Sequence, residues 1–130
     1  MEKSNYKFIQ EYIAGEYLNL DKFIDDKKEI QELCNKIICD NHQINIINIF
    51  TSIIEIVLDA QRINEGRIIT ILEFSKEIIL MIKNNNFFDS DKIKEDIIMC
   101  LIKKLSSINI NLNEYFSEYF VFNTNKCILI

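Results

Sequence analysis

Asn64-Glu65-Gly66-Arg67-Ile68-Ile69-Thr70-Ile71-Leu72-Glu73-Phe74-Ser75-Lys76-Glu77-Ile78-Ile79-Leu80-Met81-Ile82 decides how this chain folds. Asparagine is a residue type that closes the open N–H groups at a helix start, and Glu65 suits the positive end of the helix dipole. From Ile68 to Ile82, apolar side chains fall on nearly every side of a 3.6-residue helix. Such a helix is stable in water only when other elements enclose it, so the segment predicts a buried central helix. It is shorter than the roughly 20 residues a bilayer requires, and Thr70, Glu73, Ser75, Lys76 and Glu77 interrupt it. A transmembrane anchor is therefore not expected.

The flanking sequence supplies the enclosing helices. Phe8, Ile9, Tyr12, Ile13 and Tyr17 form one stripe on a helix capped by Ser4 or Asn5 and running to about Leu18. A second helix is predicted from about Asp21 to Cys39, followed by a polar connection at Asp40–Gln43. Ile44 to Leu58 is β-branched and almost alternating, as a strand would be. Its set Ile46, Ile47, Phe50, Ile53, Ile54, Val57 and Leu58 fits helical spacing better, and no partner strand is evident. After Lys83–Asn86, Asp89 or Ser90 caps a helix to about Leu105. A connection at Ser106–Asn111 leads to a short last helix around Leu112–Val121. The expectation is one all-α domain over residues 1–130, a bundle of about six to eight helices.

Composition agrees. Among 130 residues there are no prolines and two glycines, too few for the tight turns of a sandwich or barrel. The net charge of −5 disfavours nucleic acid, whose ligands carry a basic face, and adsorption to anionic membranes. Cys34, Cys39, Cys100 and Cys127 lack ligand-like spacing, and His42 stands alone in a polar connection, so no metal or other cofactor is expected. Glu2, Lys3 and Lys7 interrupt any leader-like run, which fits a reduced, cytoplasmic setting. No phosphate loop or nucleophile elbow is present, and the paired acids Asp25-Asp26 and Asp89/Asp91 read as solvated faces and caps. The chain reads as a binding protein, not an enzyme.

Gly66 within the first turn costs roughly 0.5–1 kcal/mol against alanine, so a reason is wanted. Two readings stand. Another helix of the bundle closes on Gly66 while Arg67 pairs internally, with an acid such as Glu55 or Glu114. Alternatively both residues face a ligand, with Arg67 gripping a carboxylate bidentately.

Arg62 to Phe74 resembles the first homology motif of the Bcl-type (B-cell lymphoma two) apoptosis regulators, an Asn-Trp-Gly-Arg start followed by an apolar helix ending in phenylalanine. Ser4 to Ile13 is similar to that family's amino-terminal motif, and Asn113-Glu114-Tyr115-Phe116-Ser117-Glu118-Tyr119-Phe120 to its second motif. Glu65 and Asn113 stand where the family has tryptophan. A third motif is not convincing, since bulky Ile24 occupies its small position.

The resemblance implies a pro-survival, virus-type member that sequesters the amphipathic death-motif (BH3-type) helices of pro-apoptotic partners in an apolar groove. In that reading Arg67 pairs with the ligand's aspartate, Asn64 hydrogen-bonds nearby and Gly66 permits close approach. Ile54, Leu58, Thr70 and Phe74 line the groove. Such a chain would work in a host cell's cytoplasm and meet mitochondria through its partners. The rivals are a same-fold antagonist of innate immune adaptors and a self-association module, a homodimer using the Ile44–Leu58 face. Cys127-Ile128-Leu129-Ile130 fits the loose prenylation pattern, but no polybasic stretch precedes it. These residues are expected to pack on the bundle instead.

Overall fold

The computed structural model describes residues 1–16, 27–40, 42–85 and 89–117, with Gln43 and Ile44 described in backbone only. Every regular element among them is an α-helix: α1 (Glu2–Ile13), α2 (Lys27–Asp40), α3 (Gln43–Val57), α4 (Glu65–Lys83), α5 (Ser90–Ser107) and α6 (Leu112–Tyr115). The ambiguous Ile44–Leu58 segment is helical, because Ile46, Phe50, Ile54 and Leu58 all reach the core at helical spacing. The expected starts of the second helix at Asp21–Asp26, and of the last helix's end beyond Ser117, lie outside the described residues.

α4 carries the core. It packs against α1, α2, α3 and α5, with its heaviest contact on α2. Ile68, Ile69, Ile71, Leu72, Phe74, Ile78, Ile79 and Ile82 are buried, as are Glu73, Ser75 and Glu77. The buried hydroxyl of Ser75 is satisfied locally, donating to the Ile71 carbonyl at 2.7 Å. Asn64 starts the helix and Lys83 stands in its last turn, matching the dipole at both ends. α5 begins the same way, with Asp89 accepting from the Lys92 N–H at 3.2 Å.

The first helix departs from expectation. It begins at Glu2 with Met1 at the cap, so neither Ser4 nor Asn5 caps it. Asn5 is fully buried and works across the bundle. Its amide donates to the Ile110 carbonyl at 2.9 Å, and its Oδ1 accepts from the Leu112 N–H at 2.8 Å. The α5–α6 connection would otherwise bury an unpaired donor and acceptor there. Phe8 stacks on Phe116 at 5.9 Å between centroids, completing the α1–α6 seam.

Asn5→Ala leaves both backbone groups unpaired and is expected to cost about 2–6 kcal/mol, the sum of two buried unsatisfied groups. Urea unfolding followed by circular dichroism measures it; a loss under about 1 kcal/mol would show that the clamp is dispensable.

Candidate functional site

The α3–α4 corner is built by Asn64, Gly66 and Arg67, three residues within one turn. Asn64 is extended, with φ −154 and ψ 172, and its Oδ1 accepts from the Arg67 N–H at 2.9 Å. A Cβ placed on Gly66 would meet Asn64 Oδ1 at 3.3 Å and no other group off its own helix within 4 Å. Of the two readings of Gly66, the one in which a neighbouring helix closes on it does not hold among the described residues. Arg67 is half-buried, and its Nη1 donates to the Val57 carbonyl at 3.1 Å. Val57 is the last residue of α3, where carbonyls lack helical partners and a cation is favoured by the dipole.

Nor does Arg67 form the internal ion pair considered from sequence. Glu55 pairs instead with Lys104 at 2.9 Å, across to α5. No ion pair of Arg67 or of Glu114 occurs among the described residues. An arginine has five donors, and one suffices for Val57.

The expected groove residues divide. Ile54, Leu58 and Phe74 are 2%, 1% and 3% exposed, so they are core residues here and line no open groove. Phe74 meets Phe50 edge-on at 5.7 Å, which keeps α3 seated on α4. Thr70 is half-buried, one turn before Phe74. The apolar surface lies one stripe over: Ile49 and Ile53 are half-buried and Ile56 is 72% exposed. Their spacing of four and three puts them along one edge of α3, ending beside Val57.

The three motif-like stretches come together. Asn113 in α6 donates to the Ser4 hydroxyl at 2.6 Å, beside the Asn5 clamp. Burial first, and the Glu65 carboxylate second, push the Tyr115 phenol above its ordinary pKa, so the start of α4 and the end of α6 are electrostatic neighbours. In the sequence Glu73 and Glu77 only interrupt an apolar run. In the fold Tyr12 donates to Glu73 at 3.2 Å, Gln31 donates to Glu77 at 3.4 Å, and Lys76 sits 5.8 Å from the Tyr12 ring centre. Polar residues at helical spacing on α1 and α2 are the only prior signal for these pairs.

Cys34 is fully buried, and its thiol approaches the Phe74 carbonyl at 3.7 Å. Burial, aided by Glu77 and Glu73, pushes its pKa up to about 12. Cys39 and Cys100 are free thiols as well, and no metal-binding cluster occurs among the described residues. His42 is exposed at the start of α3 and makes no side-chain cap. No helix of the described residues is long and apolar enough to cross a membrane. Comparison with protein-family models, curated proteins and solved structures finds no match.

Because the folded Cys34 thiol keeps its proton to about pH 12 while the unfolded one loses it near 9.0, its share of stability is whole below about pH 9 and falls away above it. The urea midpoint should drop from pH 9 to 11 more steeply in the native chain than in Cys34→Ala. Parallel pH profiles would refute the burial of this thiol.

Proposed function

We propose that this protein binds an amphipathic helix of a pro-apoptotic partner and holds it out of action, as the motif resemblance implies. One observation supports the reading most. Arg67 stands half-buried at a helix start, with no carboxylate partner among the described residues, near an apolar edge of α3 that runs from the half-buried Ile49 and Ile53 to the exposed Ile56. A ligand helix laid along Ile49, Ile53 and Ile56 would bury that edge, and its aspartate would reach the guanidinium. Ile54, Leu58 and Phe74 would join the contact only if α3 moved off α4. The role is sequestration in the cytoplasm, with mitochondria reached through the partner.

The Arg67 bond to Val57 need not break, since the remaining donors can take the ligand carboxylate. Arg67→Ala is expected to weaken a death-motif peptide by about 2–5 kcal/mol if the pair is desolvated. Isothermal titration calorimetry reads this directly, and unchanged affinity would remove Arg67 from the site. Gly66→Glu should abolish binding while circular dichroism stays helical, because only Asn64 Oδ1 crowds a new Cβ there.

The exposure of Ile56 also favours a second reading, in which two copies pair through the same edge. Light scattering with and without peptide separates the two: a dimer that peptide dissociates means a shared surface.

A further inference from the structure

A second corner of the bundle has its own chemistry. Between the α3–α4 and α5–α6 connections lies a pocket of about 350 Å³. That is near the lower end for small-molecule sites, roughly 300–1,000 Å³, and suits one long side chain. Ile63, Ile108 and Ile110 supply apolar wall, Tyr115 a ring, and Glu114 and Asn109 polar groups. No lysine or arginine lines it.

The frame is held from behind. Asn109 takes the left-handed conformation at φ 59, which asparagine tolerates better than most residues. The Asn5 clamp fixes Ile110 and Leu112, and Asn111 Oδ1 caps the Glu114 N–H at 3.2 Å. Glu114 is exposed, and its carboxylate has no hydrogen bond or ion pair among the described residues. A second acid, Glu65, is near enough to act on the Tyr115 phenol. Apolar wall residues, an aromatic ring and an available carboxylate together fit a cation on an aliphatic stem. A planar guanidinium fits better than an ammonium, because it both stacks on a ring and pairs with a carboxylate in two bonds.

We propose that this pocket receives an arginine side chain of a partner protein, its stem against Ile63, Ile108 and Ile110 and its guanidinium over Tyr115 and paired with Glu114. The site is separate from Arg67 and does not depend on that residue's role. The chain's net charge of −5 favours the approach of a basic partner surface.

The test uses the full chain with isotope-labelled isoleucine methyls and two probes, N-acetyl-arginine-N-methylamide and its neutral citrulline counterpart. The arginine probe should give saturable shifts at the Ile63, Ile108 and Ile110 methyls, and the citrulline probe should not. Glu114→Gln should weaken the arginine probe by roughly fivefold, the upper range for an exposed charge pair. The other methyl signals should stay in place, showing that the variant remains folded. Absence of saturable shifts, equal binding of citrulline, shifts confined to other methyls, or undiminished binding by Glu114→Gln would each overturn the proposal.

Discussion

Eleven of the nineteen residues of α4 are buried, and much of this molecule follows from covering them. Four helices contact it, and each must offer apolar side chains to its own sector. Burying apolar area is the main favourable term, worth about 25 cal/mol per Å². It also takes two carboxylates inside, Glu73 and Glu77, which demand hydrogen-bond donors. Tyr12 from α1 and Gln31 from α2 provide them, so the polar contacts specify which helices lie where. Packing alone is tolerant of such exchanges, whereas a buried donor–acceptor pair is not.

The same enclosure explains why interaction chemistry gathers at the helix connections. Within the bundle, side chains are committed to neighbours. At the α3–α4 corner the helix ends leave carbonyls and N–H groups over, and Asn64 and Arg67 each satisfy one. At the α5–α6 corner Asn5 and Asn111 do the same. Each corner thus has its backbone groups hydrogen-bonded yet leaves one charged side chain, Arg67 or Glu114, with donors or acceptors to spare among the described residues.

Much of the fold was legible because periodicity and caps report directly on helices. The all-round apolar pattern of Ile68–Ile82 singled out α4, and Asn64 and Asp89 marked true helix starts. Asn5 was misread because cap preference is a local property, while its partners lie 105 and 107 residues away. At the site, Asn64, Gly66 and Arg67 could be placed at a helix start, since residues within one turn share one local geometry. Which side of α3 stays uncovered could not, because Ile53, Ile54 and Ile56 are the same residue type on one short helix. Only the packing direction separates the buried Ile54 from the exposed Ile56.

The Asn5 clamp also governs when this structure can exist. Its two bonds join the first helix to backbone beyond residue 109, so they close nearly the whole chain into one loop. Closing a loop of that length costs more chain entropy than closing a local turn. On a ribosome, α1 would emerge with a polar side chain facing inward and no partner for it until the α5–α6 connection had been made. The clamp on the amino-terminal helix, first to be synthesised, can thus close only when nearly the last described element has been made.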